Sequence, residues 1–210
     1  MTLNILYSGI IDGDQSLVDD AIKKALGQST DPEKILRECL LPAMQEVGDR
    51  FEKGEFYIPE MMIAARAMQV ALDELKPFLV SSGVTPIARV ALGTVKGDLH
   101  SIGKNLVGMM LEGSGFEVLD LGVDVSPERF LEAVQEEGAS IIAMSALLTT
   151  TMQRMRDAID ALIASGLRDD VTVIVGGAPL TQEFADMISA DAFGTDAAAA
   201  PRLLKELLEE

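Results

Sequence analysis

The chain has no tryptophan, one histidine and one cysteine, and its aromatic content is only 4%. A lone cysteine excludes an internal disulfide, which fits a reducing compartment and places the protein in the cytoplasm. Cys39 lies among Leu36, Leu40 and Leu41 and reads as a buried structural thiol. A lone histidine cannot by itself build a protein metal site. Cations are scarce as well: 17 Lys and Arg against 34 Asp and Glu give a net charge of -17, with no basic cluster. Such a balance repels phosphate backbones and anionic lipid, which argues against nucleic-acid and membrane partners. No apolar run reaches membrane-spanning length, and the N-terminus lacks the basic-then-apolar order of a secretory signal.

What is present is a soluble composition, 48% hydrophobic and 24% charged over 210 residues, enough for one large domain or two small ones. Residues 1–80 carry helical patterns only. Leu17, Val18, Ala21, Ile22, Ala25 and Leu26 form one stripe. Asp31-Pro32-Glu33 supplies a capping aspartate and a first-turn proline for a second helix, continued by Ile35, Leu36, Cys39, Leu40, Ala43, Met44, Val47 and Phe51. A break at Gly54 to Pro59 leads to a helix bearing Met61, Met62, Ala65, Met68, Leu72 and Leu75. Four antiparallel helices with short connections make a small bundle, in which Met44, Met61, Met62 and Met68 read as core filler. The stretch from Lys76 to Pro86 is linker-like, with residues 81–86 as its centre.

Beyond it, residues 87–210 alternate short apolar runs with helices. Strands are predicted at 87–92, 116–120, 140–144, 171–175 and 191–193. Helices are predicted near 104–113, 127–137, 151–165, 181–188 and 196–209, the second of them capped by Ser126-Pro127-Glu128. This alternation predicts a parallel, doubly wound five-stranded sheet.

Three features fall at predicted strand ends on one rim of that sheet, where open α/β folds bind ligands. They are Asp98-x-His100-x-x-Gly103 within the loop from Thr94 to Asn105, Ser145-x-Leu147 trailed by Thr149, Thr150 and Thr151, and Gly176-Gly177. An imidazole is a metal ligand, and an aspartate two residues before it can accept from its other ring nitrogen. If His100 binds a metal, the remaining ligands come with the metal, as in a macrocycle.

With these separations the chain resembles the methyl-carrying corrinoid proteins, which share a module with the cobalamin-binding part of methionine synthase. The resemblance runs from about Asp31 to the C-terminus and includes Gly48-Asp49-Arg50-Phe51-Glu52-x-Gly54 and Tyr57-Ile58-Pro59. It implies a helical cap followed by a flavodoxin/Rossmann-like cobalamin-binding domain. The implied cofactor is cobalamin or a related corrinoid, methylcobalamin in the loaded state, with its own benzimidazole displaced from cobalt. His100 is then the lower cobalt ligand, Asp98 holds its second nitrogen, and Thr151 completes the relay where methionine synthase has serine. The loop residues Gly97, Leu99 and Ser101 belong to the same implied site. Ser145, Leu147 and Thr149 line the buried tail, Gly176 and Gly177 leave room for it, and Gly103 lets the next helix approach. Gly194-Thr195-Asp196 closes the far side, and Phe51 and Ile58 match apolar residues that shield the methyl group.

The resemblance implies a carrier that accepts a methyl group from a substrate-specific methyltransferase and passes it to a second methyltransferase with a thiol or tetrahydrofolate acceptor. A reductive activase is a further implied partner, and the linker is the natural hinge. The chain shows no zinc ligand set, no nucleophile paired with a base and no second histidine. It therefore reads as a methyl-transfer subunit that is not catalytic on substrate alone. Two readings share the module: a cobalamin-based light sensor, opposed by the missing tryptophan and DNA-binding segment, and a mutase small subunit, opposed by the N-terminal bundle. A phosphate-accepting receiver domain lacks its acidic cluster and lysine here.

Overall fold

The structure, a computed structural model, describes residues 2–81 and 85–209. The chain divides into two compact units, Met1–Pro86 with Glu112–Gly115, and Ile87–Leu111 with Phe116–Glu210.

The first unit is built from four helical runs. Helix α1 spans Thr2–Asp12 and α2 spans Gln15–Gly27, the latter opened by the Asp14 carboxylate accepting from the Leu17 N–H at 3.0 Å. The third run begins at Asp31, whose carboxylate accepts from the Glu33 N–H with Pro32 in the first turn. It comprises α3 (Pro32–Ile35), a π-helical turn (Leu36–Leu40) and α4 (Leu41–Glu52), a break that the apolar periodicity does not show. Pro42 has no N–H to give to the preceding turn, and its ring crowds the carbonyl four residues back. One wider turn, closed by the Leu41 N–H on the Leu36 carbonyl, accommodates it.

Helix α5 spans Ile58–Ser81 and continues through Pro77, so Lys76 to Ser81 are helical rather than linker. Pro77 falls in the last turns, where the remaining hydrogen bonds are few, and the Ser81 hydroxyl donates to the Phe78 carbonyl at 2.8 Å. Of the expected linker, residues 82–84 lie outside the described residues. Helix α1 packs on α2, α4 and α5, burying Leu6, Ile10, Val18, Ile22, Val47 and Leu75. Met44, Met61 and Met68 are buried core residues, and Met62 is half-buried. Cys39 is buried with its Sγ 3.2 Å from the Leu3 carbonyl, and burial pushes the thiol up to about 11, which leaves it unreactive.

The second unit is a five-stranded parallel sheet, β1 (Arg89–Val95), β2 (Glu117–Val125), β3 (Ile141–Ser145), β4 (Thr172–Gly176) and β5 (Ala192–Gly194), in the order β2-β1-β3-β4-β5. Between the strands run α6 (Ile102–Gly113), α7 (Pro127–Gln135), α8 (Gln153–Ala164) and α9 (Gln182–Met187), and α10 (Ala199–Glu209) follows β5. Two strands run longer than the hydrophobic pattern implies. Thr94 and Val95, expected in the loop, end β1, and β2 continues to Val125.

Side chains alternate between the faces with the period of two that a strand dictates. Ile142, Met144, Val173 and Val175 pack on one face with Phe130, Met155, Ile159 and Leu162 of α7 and α8. Ile141, Ala143, Ile174, Val90 and Leu92 pack on the other with Leu111 of α6 and Leu204 of α10. Both faces are covered, so the central strands read as continuous apolar runs.

Phe130 is fully buried, and its ring occupies the space a side chain on Gly93 would need, with Cζ 2.9 Å from an ideal Cβ there. Phe130→Ala empties that volume and is expected to cost about 3–5 kcal/mol. A urea titration of the two proteins checks this by the shift in midpoint at unchanged slope.

Candidate functional site

Strand β1 sends the chain to β2 on one side, and β3 lies on the other, so the carboxyl ends of β1 and β3 border the crevice where the winding reverses. Loops leaving such a switch point diverge and leave room for a ligand. The loops after β1 and β3 meet here through one carboxylate.

Asp98 has no solvent exposure. Its Oδ1 accepts from the His100 N–H at 3.0 Å and from the ring Nδ1 at 2.7 Å. Its Oδ2 accepts from the Leu147 N–H at 2.8 Å, the Leu148 N–H at 3.3 Å and the Thr151 hydroxyl at 2.8 Å. Burial alone would raise its pKa, but the donors from Leu147, His100 and Thr151 outweigh burial and hold it well below the ordinary carboxylate value. The Thr151 oxygen also lies 2.8 Å from the Leu148 carbonyl, and its single proton is drawn to the charged acceptor. Thr151 is itself buried. Thr94, at the end of β1 and fully buried, donates to the His100 carbonyl at 2.9 Å, so the histidine backbone is held at both its N–H and its C=O.

An ionised carboxylate only accepts, so the proton on the His100 ring sits on Nδ1 and Nε2 carries the free lone pair. The imidazole is 51% exposed although its partner is sealed. Around it stand apolar side chains turned to solvent: Leu99 at 72%, Ile102 at 73%, Leu147 at 44% and Leu148 at 42% exposure. An oriented nitrogen ligand on an apolar apron is the surface that a flat macrocycle carrying its own metal requires. Among the described residues no group of three or more His, Cys, Asp or Glu is placed to hold a metal ion.

The other expected residues fall as follows. Gly97 takes φ +80, which glycine adopts at no steric cost, and Ser101 is half-buried just before α6. Gly103 faces open space, with nothing within 4 Å of an ideal Cβ. Ser145 ends β3, paired with Thr94 and Gly176, and Thr149 is exposed in the following turn. The fold itself requires Gly177: at φ +138 an added Cβ would sit 1.9 Å from the Ala146 carbonyl oxygen. A Cβ on Gly176 would lie 3.2 Å from the Gly194 carbonyl. In Gly194-Thr195-Asp196 the Asp196 carboxylate accepts from the Ala198 and Ala199 N–H groups, starting α10. Phe51 and Ile58 belong to the helical unit, where Phe51 is half-buried in the last turn of α4 and Ile58 is 50% exposed at the first residue of α5.

Residues 88–204 match the B12 binding domain family, and residues 3–76 match a second family with the same description. The chain belongs to the B12-binding corrinoid proteins. The corrinoid protein is 41% identical to dimethylamine corrinoid protein 1 of Methanosarcina acetivorans, over 98% of this chain and 97% of the relative. It is 40% identical to trimethylamine corrinoid protein 1 of the same organism, over 90% and 88%. Among solved structures it is similar to the methanol:cobalamin methyltransferase complex of Methanosarcina barkeri, with TM-score 0.86 and 29% identity over 99% of this chain and 80% of that one. The cofactor is therefore cobalamin or a related corrinoid, and the free Nε2, the apolar apron and the open side of Gly103 fit it.

Residue types and spacing did not single out Lys104, Asp120 or Asp124 in this corrinoid protein. Lys104 is buried in the first turn of α6 and pairs with Asp120, which also accepts from the Gly122 N–H at 2.8 Å. A signal was there: Lys104 sits on the same stripe of α6 as Val107, Gly108 and Leu111, where a lysine is out of place unless partnered. Asp124 accepts from the Gly97 N–H at 2.7 Å, a contact that only the folded sheet creates.

Because the native Asp98 pKa is depressed, its contribution to stability is complete above the unfolded carboxylate value. It is lost as pH falls through the window below about 4. Asp98→Asn is expected to be less stable than wild type at neutral pH, with the gap narrowing on acidification below about pH 4. Urea midpoints measured across that range check the sign, and a constant gap would mean Asp98 is not ionised at low pH in the native state.

Proposed function

We propose that this corrinoid protein is a methyl carrier that holds its cofactor with the cofactor's own base displaced and His100 as the lower cobalt ligand. The bound corrinoid supplies the cobalt to which a methyl group is attached and from which it is removed. Within the chain, Asp98 keeps the Nδ1 proton in place and thereby presents Nε2 as the ligating atom. Thr151, Leu147 and Leu148 keep that carboxylate ionised and immobile. Leu99, Ile102, Leu147 and Leu148 are exposed apolar side chains that would lie against the bound corrinoid beside the imidazole. Ser145, Thr149, Gly176 and Gly177 are assigned to the displaced tail, and Phe51 and Ile58 to the methyl face. The observation that carries the reading is an imidazole half open to solvent whose proton is fixed by a wholly buried carboxylate.

The methyl group arrives from a substrate-specific methyltransferase and leaves through a second one, to a thiol or tetrahydrofolate, with a reductive activase restoring inactive cofactor. The similarity to a methanol:cobalamin methyltransferase complex supports the first partner. Near-equal identity to dimethylamine and trimethylamine corrinoid proteins supports a methylamine-type system while leaving substrate choice to the partner enzyme.

Purified protein mixed with hydroxocobalamin is expected to turn red and to keep its colour through gel filtration. In the methylated form, His100→Ala is expected to shift the visible spectrum toward that of cofactor lacking a lower nitrogen ligand. An unchanged spectrum would remove His100 from this role, and loss of all colour from wild type would remove the function.

A further inference from the structure

The edge strand β2 does more at its carboxyl end than close the sheet. From Leu92 to Val95 β1 advances three residues, whereas its partner advances from Asp120 to Val125, so β2 spends two extra residues in bulges there. Gly122 and Asp124 absorb the irregularity at φ +84 and +56. Positive φ is natural for glycine and unusual for a residue with a side chain, although aspartate tolerates it better than most. At Asp124 this backbone turns the carboxylate and the N–H of the residue onto the loop that carries His100. Its carboxylate accepts from the Gly97 N–H at 2.7 Å, and its own N–H donates to the Asp98 carbonyl at 3.0 Å.

We infer that Asp124 is a positioning residue for the cobalt-ligating histidine, acting through Gly97 and Asp98 rather than touching the cofactor. The chain of contacts is continuous. Asp124 clamps the peptide groups on either side of the Gly97–Asp98 bend, and that bend, with Gly97 at φ +80, aims the Asp98 side chain inward. Asp98 then holds both the backbone N–H and the ring of His100. On the other side of the loop, Lys104 and Asp120 tie the first turn of α6 to the same bulged segment. The histidine is thus braced from the edge strand as well as from the loop after β3. The inference rests on the proposed role of His100 for its consequence, and on the contacts of Asp124 alone for its geometry.

Two variants separate the carboxylate from the backbone. Glycine accepts φ +56 without strain, so Asp124→Gly keeps the bulge and the N–H bond to the Asp98 carbonyl and deletes only the carboxylate half of the clamp. Asn tolerates the same conformation and retains a side-chain oxygen, so Asp124→Asn restores the acceptor. Amide hydrogen exchange on the cofactor-free protein is the first readout. In Asp124→Gly the Gly97 and His100 amides are expected to exchange about tenfold faster than in wild type, with β3 and β4 amides unchanged as the control for folding. Asp124→Asn is expected to return most of that protection. The second readout uses methylcobalamin: Asp124→Gly moves the visible spectrum part-way toward the form without a lower nitrogen ligand, and Asp124→Asn does not. Unaltered exchange at Gly97 and His100 in Asp124→Gly, or equal loss in both variants, would overturn the inference. Failure of wild type to bind methylcobalamin would count against the proposed function, and the exchange result would still decide whether Asp124 holds the loop.

Discussion

A sealed carboxylate at the seam between two loops is the constraint on which the site depends. Removing Asp98 from water is unfavourable unless every lone pair finds a donor, and the donors come from the loop after β1 and from the loop after β3. Those loops lie side by side because β1 and β3 are neighbours at the point where the sheet reverses its winding. The ion is therefore affordable only when the sheet is correctly assembled, and once assembled it leaves His100 a single tautomer and orientation. Four of the five buried polar side chains among the described residues, Thr94, Asp98, Lys104 and Thr151, gather at this end. The unit concentrates its polar burial at the carboxyl ends of β1 and β3.

The same geometry explains why the histidine is half exposed and its partner is not. In its proposed role as a metal ligand His100 has to reach out of the protein, whereas the group that sets its protonation works best in a low dielectric with no competing water. Apolar side chains at Leu99, Ile102, Leu147 and Leu148 would be a liability on a bare surface. In the proposed function they are the seat of the corrinoid. B12 binding domain models match both halves of the chain.

Much of the fold was legible because its signals are local. Asp31-Pro32 and Ser126-Pro127 announce helix starts by cap chemistry, and both caps form as read. Fully covered central strands appear as short apolar runs between helices. What the pattern missed was governed by pairing. The end of β1 and the bulged extension of β2 exist because the strands hydrogen-bond to each other, and no residue in Thr94-Val95 or Gly122-Val123-Asp124 announces that by itself. The π-helical turn before Pro42 arises from a proline set inside an otherwise regular stripe, and Lys76 to Ser81 remain helical despite Pro77 because few later bonds depend on it.

Sequence alone determined the order of helices and strands, the three motif loops and the position of the lone histidine in the first of them. The reason is that capping, periodicity and residue scarcity act within a few neighbouring positions. Tertiary structure decided the sealing of Asp98, the reason Gly177 has no side chain, and the bracing of the loop by Asp124 and by the Lys104–Asp120 pair. Each of these depends on two segments more than fifteen residues apart meeting within hydrogen-bond or van der Waals distance. Only the packed sheet brings those segments together.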